Sequence, residues 1–346
     1  MSQVFTKGIE NLEPLLKKLN VKKFLLVCDS SFPYLNIKDC IESIKIDHVV
    51  FNQFSSNPLH DDADKGRELF TGEKCDCIVA VGGGSSLDVA KCIKLDSGSI
   101  VPLFAIPTTA GTGSESTRHI VVYRDGKKES LGNETVIPNY VVFEPRVLKT
   151  LPVYQKKCTM LDALCQGIES YWSVNANSES RILSKKAIEL IVANMDKYIL
   201  ENDEKASEKV MEGANYSGQA INLTQTTAAH AMSYKITSLY KLPHGHAVAV
   251  CLPEVWETML KCNPSDELQS VFKEISHELG YESSEKAISG FRSMMERFEM
   301  ANPKSTGDRE EEIKVLTTSV NPVRLKNNPI QFTEEQIAGM YERIVG

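Results

Sequence analysis

The stretch Cys77–Lys91, CIVAVGGGSSLDVAK, carries the strongest statement about fold in this chain. Apolar, largely β-branched residues predict a buried strand, Gly82, Gly83 and Gly84 break it, and Ser85-Ser86 open a helical run. Glycine turns of this kind let a backbone approach phosphate closely, and the freed amides at a helix start attract the anion. The spacing is GGGS rather than GxGxxG, so a phosphate-binding turn and a plain tight turn both fit it.

The surrounding sequence repeats the alternation. KKFLLVCD (Lys22–Asp29), HVVF (His48–Phe51) and VPLFAIP (Val101–Pro107) read as further buried strands, and Asp61–Phe70 and Ser86–Leu95 as helices between them. Strand–helix alternation predicts an α/β domain with a doubly wound, mostly parallel, Rossmann-like sheet. IVVYRDGKKES predicts a hairpin with Asp125-Gly126 at its turn. PTTAGTGSES (Pro107–Ser116) follows another strand end and offers Thr108, Thr109, Thr112 and Ser114; with the glycine turn it would bracket a ligand crevice. Asp29 ends the first of these strands. There a carboxylate either bonds a ribose hydroxyl, favouring NAD(H) over NADP(H), or closes an Asx turn in DSS.

After Leu151-Pro152 the character changes. Gln155–Trp172, Glu179–Leu200, Ser207–Asn222, Thr226–Leu239 and His244–Met259 all carry helical spacing. The domains are therefore expected to be 1–152, α/β, and 153–346, all-helical. Ser178 is expected to cap the helix after the Asn175–Ser178 loop, and the charged run Gly307–Lys314 to start a solvated helix.

MLDALCQGIESYW, TTAAHAMSY and LPHGHAV place Asp162, His230 and His244 on three separate predicted helices. A lone histidine in a helical domain is by default structural. One carboxylate with two neutral imidazoles, if they converge, is instead the donor set for Fe(II) or Zn(II) with positions open to substrate. A metal and a dinucleotide in one chain point to hydride transfer on a carbonyl.

Composition narrows the field. The net charge of −7 argues against nucleic-acid binding, which needs a basic footprint. Nine cysteines without zinc-ribbon spacing, no signal-like start and no long apolar run predict a cytoplasmic chain with reduced thiols and no membrane span.

GGGSSLDVAK, PTTAGTGSE, LDAL with IESY, HAMSY and LPHGHA together resemble the iron-containing alcohol dehydrogenases, from FLLVCDSS near the start to NPIQFTEEQI near the end. The resemblance implies their dehydroquinate-synthase-like fold, an all-α metal domain after the nucleotide domain, and a homodimer. It implies metal ligation by Asp162, His230 and His244, and cofactor contacts from Asp29, Gly82, Gly83, Gly84, Ser85, Asp88, Thr108, Thr109 and Ser114. The family usually has a histidine four residues after the aspartate; Gln166 stands there, a weaker ligand. DALCQGIESYWSVN and SESTRH look like the phosphonoacetaldehyde reductase branch, which implies reduction of that aldehyde to 2-hydroxyethylphosphonate. For the phosphonate, Arg118 and the amides and hydroxyls of Thr226-Thr227 are candidate anchors, while Lys157 and Lys235 read as surface charge. His246 and His119 are candidate proton donors beside their structural roles. A general short-chain alcohol or polyol dehydrogenase is the alternative, and a dehydroquinate-synthase-like lyase a weaker one.

Overall fold

The computed structural model describes residues 3–98, 100–124 and 127–346. The chain divides into two compact units, Met1–Pro152 with Asn202–Met211, and Val153–Glu201 with Glu212–Gly346. Among the described residues the first has eight strands, β1 (Val4–Lys7), β2 (Lys23–Cys28), β3 (Asp47–Phe51), β4 (Cys77–Gly82), β5 (Leu103–Pro107), β6 (His119–Arg124), β7 (Lys127–Gly132) and β8 (Tyr140–Phe143). Six of them form one sheet in the order β1-β8-β5-β4-β2-β3, with every pairing parallel. Its helices include α1 (Leu12–Lys18), α2 (Lys38–Glu42), α3 (His60–Gly72) and α4 (Gly84–Asp96).

Burial explains which strands the sequence announced. All of β4 and β5 and all but the first residue of β2 are buried, so no polar alternation interrupts them. The expected strands coincide with β2 to β5 within two residues. The edge strand β1 leaves Val4 and Phe5 exposed, and β8, though Val141, Val142 and Phe143 are buried, is only four residues long; neither was expected.

The sheet order reverses between β2 and β4, which lie side by side with Cys28 opposite Val81. Asp29 and the Gly82 turn therefore flank a topological switch point at the carboxyl ends of the strands, where open α/β sheets bind ligands. The hairpin is present as β6 paired antiparallel with β7, Arg124 opposite Lys127; its expected turn, Asp125-Gly126, lies outside the described residues.

The second unit is helical: α5 (Val153–Trp172), α6 (Ser178–Asp196), α7 (Glu204–Thr224, continuing from the first unit), α8 (Ala228–Tyr240), α9 (His244–Lys261), α10 (Asp266–Glu278), α11 (Ser284–Arg297), α12 (Arg309–Thr318), α13 (Pro322–Leu325) and α14 (Glu334–Ile344). From Met160 to Trp172 every residue of α5 is buried, so α5 is a core helix and its polar side chains must find partners inside. One expectation is corrected at α6. Asn177, not Ser178, is the cap, its side-chain oxygen accepting from the Ser180 amide at 2.9 Å. The expected Glu179–Leu200 helix ends as α-helix at Asp196 and continues as a π-turn over Lys197–Glu201. The charged run does start a helix, with Asp308 capping α12. No helix among the described residues is long and apolar enough to cross a membrane.

Candidate active site

Asp162, His230 and His244 converge. Their ligand-capable atoms lie within 4.8 Å of one another, although they come from α5, α8 and α9. Asp162 Oδ1 is 3.3 Å from His230 Nε2 and 3.9 Å from His244 Nε2. Donors bonded to one cation at about 2.0–2.1 Å in tetrahedral geometry stand about 3.3 Å apart, so this spacing suits a shared divalent metal.

Neighbouring residues create the convergence. His244 opens α9 directly after Pro243, and Gly245 follows. A Cβ at Gly245 would sit 1.9 Å from the Cys158 carbonyl oxygen and 2.9 Å from Asp162 Cβ, so only glycine lets α9 lie this close to α5. The Tyr234 ring stacks on the His244 imidazole, centroids 5.8 Å apart and planes 12° from parallel, and the His230 ring meets His244 edge-on.

Glu169 fixes His230. It lies seven residues after Asp162 on α5, on the same face, and is fully buried. One carboxylate oxygen bonds His230 Nδ1, and the other accepts from the Thr227 amide, the Thr227 hydroxyl at 2.8 Å and the His230 amide. The carboxylate can only accept there, so Nδ1 carries the proton and Nε2 is aimed toward Asp162. Among the described residues His230 Nε2 has no hydrogen-bond partner, and it is buried. Burial alone would push this imidazole down; the Glu169 and Asp162 carboxylates outweigh it and hold it up at about 9. Burial likewise works against ionised Glu169, but His230 and Thr227 overcome it and keep its pKa low. Two buried carboxylates around one imidazole make a place that retains positive charge, as a cation's donor set must.

Other expected site residues have partners of their own. Gln166 is buried on α5, and its Oε1 accepts from Ser217 at 2.9 Å, which anchors the amide. His246 has both ring nitrogens engaged. Its Nε2 donates to the Ala301 carbonyl at 2.9 Å, which leaves Nδ1 to accept from the Tyr154 hydroxyl at 2.9 Å, and burial lowers its pKa. His119 begins β6, and its carbonyl accepts from Lys91. Arg118 is ion-paired to Glu134 at 2.6 Å, a bond that competes with any substrate anion. Thr227 is occupied by Glu169 and by the Trp172 indole, so the expected anion anchor at Thr226-Thr227 loses the Thr227 donors. Lys157 pairs with Glu299 at 3.7 Å.

In the sheet unit, Gly82 has φ +155, and a Cβ there would meet Ser86 Oγ at 2.1 Å; Gly83 and Gly84 back onto Thr109 and Thr112. The glycine turn and the threonine loop are thus adjacent, and Gly83, Gly84 and Ser85 at the start of α4 are partly exposed. Asp88 and Ser114, however, serve the framework. Ser114 Oγ donates to Asp88 at 2.6 Å, the Val121 amide donates to the same carboxylate, and fully buried Lys91 bonds Ser114 and Thr117. Ser85 Oγ donates to the Ser56 carbonyl, and Asp29 accepts from the Ser31 amide and hydroxyl and from Ser86 Oγ. Asp29 therefore does close the Asx turn that competes with its ribose role.

Sequence reasoning missed Glu169, Gly245 and Lys91. Glu169 was detectable, at the helical repeat i+7 from Asp162; the close approach at Gly245 has no sequence signal.

The chain belongs to the iron-containing alcohol dehydrogenase family: the iron-containing alcohol dehydrogenase model matches residues 3–145 and the Fe-containing alcohol dehydrogenase C-terminal model residues 157–345. It is 32% identical to 1,3-propanediol dehydrogenase of Citrobacter freundii, over 72% of this chain and 70% of that one. With 4-hydroxybutyrate dehydrogenase of Clostridium kluyveri it shares 31% identity, over 77% and 78% of the two chains. A crystal structure of 1,3-propanediol oxidoreductase superposes with a TM-score of 0.89 at 25% identity, covering 99% of this chain and 97% of the other. Members of this family are oxidoreductases of alcohols and aldehydes that use NAD and a divalent metal.

Proposed function

We propose that this chain is an NAD(H)- and metal-dependent aldehyde reductase, holding one divalent cation, Fe(II) or Zn(II), through Asp162, His230 and His244. The observation that carries the reading is the convergence of these three side chains from three helices, with Glu169 orienting His230. Gly82, Gly83 and Gly84 with Thr108 and Thr109 are the proposed cofactor contacts, Asp88, Ser114 and Ser85 positioning them. Bound there, the cation supplies Lewis-acid polarisation of a carbonyl oxygen and the nicotinamide supplies hydride. The protein's share is orientation. Glu169 keeps the His230 tautomer, Tyr234 holds the plane of His244, and Gly245 sets the distance from His244 to Asp162. Three protein ligands leave positions open for substrate without Gln166.

Within this class the proposed substrate is phosphonoacetaldehyde, on the sequence resemblance of DALCQGIESYWSVN and SESTRH. The 4-hydroxybutyrate dehydrogenase relative, whose named substrate also carries an anionic end, supports a charged substrate. The 1,3-propanediol relative supports a neutral one, and a general short-chain alcohol dehydrogenase is the second reading.

Metal analysis of purified protein, followed by NADH consumption with and without chelator, tests the chemistry. One divalent metal per chain and chelator-sensitive reduction are expected; activity unaffected by complete metal removal would overturn the assignment. Equal turnover of phosphonoacetaldehyde, propionaldehyde, glyceraldehyde and lactaldehyde would remove the phosphonate. Glu169→Gln is expected to weaken metal affinity by about 10- to 100-fold, as loss of a histidine-orienting carboxylate does, measured by competition with a chromophoric chelator. Unchanged affinity would reduce Glu169 to a packing role.

A further inference from the structure

Arg324 stands beside the cluster with its charge uncompensated. It lies on α13, a short helix pinned by Pro322 and by Asn321, whose side chain accepts from the Val323 and Arg324 amides. The guanidinium approaches the Tyr234 hydroxyl, on the helix α13 packs against, and donates to Gln225 Oε1 at 3.4 Å. Both partners are neutral oxygens, and among the described residues no carboxylate pairs with Arg324. Arg118, Arg146, Arg292 and Arg343, by contrast, each sit on a glutamate. A guanidinium has five N–H donors and stays charged throughout the physiological range, so capacity remains for a bidentate anion.

Placement gives that capacity a purpose. Asp162 and His230 are about 5% exposed or less at the side chain, whereas His244 is 36% exposed, so the cluster opens on the His244 side. Tyr234 stacks on His244 there, and its hydroxyl end lies toward Arg324. One aromatic ring thus separates the guanidinium from the cluster's accessible edge, a span suited to a short carbon chain. Gln225, in the left-handed region at φ +61 where α7 ends, directs its amide oxygen to both Arg324 and Asn327 and holds the group in place.

We infer that Arg324 binds the anionic end of the substrate, and that the substrate is a short aldehyde or alcohol bearing a terminal oxyanion group, phosphonate or carboxylate. The assignment rests on the metal-dependent aldehyde chemistry proposed above and replaces Arg118 as the anion anchor.

The test compares wild type with Arg324→Gln and Arg324→Lys, each checked for metal content and melting temperature. The readout is the ratio of kcat/KM for phosphonoacetaldehyde or 4-oxobutanoate to kcat/KM for propionaldehyde or butanal. In Arg324→Gln this ratio is expected to fall about 10- to 100-fold, chiefly through KM, the size of a lost charge-assisted hydrogen bond. Arg324→Lys should recover part of it, because charge persists and bidentate geometry does not. The same ratio in wild type and Arg324→Gln, with metal and fold intact, overturns the inference. Calorimetric binding of 2-hydroxyethylphosphonate and 4-hydroxybutyrate separates this from a failure of the parent reading. Wild type that binds these anions more tightly than Arg324→Gln but consumes no NADH would sink the reductase and keep the anchor; wild type that binds neither sinks the anchor.

Discussion

His230→Asn is expected to leave the purified protein without stoichiometric divalent metal and to lower kcat/KM for aldehyde reduction by about 10^3-fold, some 4 kcal/mol of transition-state stabilisation. Three donors define the proposed site, and His230 is the one whose orientation is most tightly specified. Its Nδ1 proton is held by Glu169, so the other ring nitrogen, Nε2, points toward Asp162 and is the one a cation would take. An asparagine at this position lacks a ring to span from Glu169 to the cluster centre. Loss of the imidazole also strands Glu169, and a buried carboxylate without its partner costs about 3–5 kcal/mol, so reduced stability is part of the expected result. Asp162→Asn is the companion variant, because it preserves shape and removes only the charge. Full metal occupancy in both variants would refute the ligand assignment.

Gly245→Ala is the second large effect. The added methyl carbon would fall 1.9 Å from a backbone oxygen of α5, which cannot rotate aside as a flexible side chain would. The expected destabilisation is about 3 kcal/mol, at the upper end for overpacking a well-packed interior, read as a drop in melting temperature. Because the same methyl crowds Asp162 Cβ at 2.9 Å, separating α9 from α5 also spreads His244 from Asp162, and metal retention should fall with stability. Gly72→Ala is the control. A Cβ there meets nothing within 4 Å, so no steric loss is expected. A Gly245→Ala protein that melts with wild type and keeps its metal would show that α5 and α9 tolerate a wider spacing.

The central strands were legible because burial on both faces leaves a continuous apolar signature, as in Phe24–Cys28 and Cys77–Val81. Edge strand β1 was not, since its partly exposed residues carry no periodic signal. At the site, helical spacing alone links Asp162 to Gln166 and Glu169, and His230 to Tyr234. Side-chain occupancy was illegible. Asp88 and Ser114 fall inside a cofactor-like motif, yet they bond each other and the framework. His246 stands two residues from a cluster histidine, but its nitrogens are taken by Tyr154 and Ala301.

The sequence by itself determined the parallel sheet, the glycine turn, the helical second half and the donor types, because periodicity, backbone freedom and ligand chemistry are local properties. Tertiary structure alone decided that three donors from separate helices meet, that Glu169 fixes a tautomer, and that Arg324 rather than Arg118 keeps an uncompensated charge. Those outcomes depend on distances between segments remote in sequence, set by how closely helices pack around a glycine, and no local pattern encodes them.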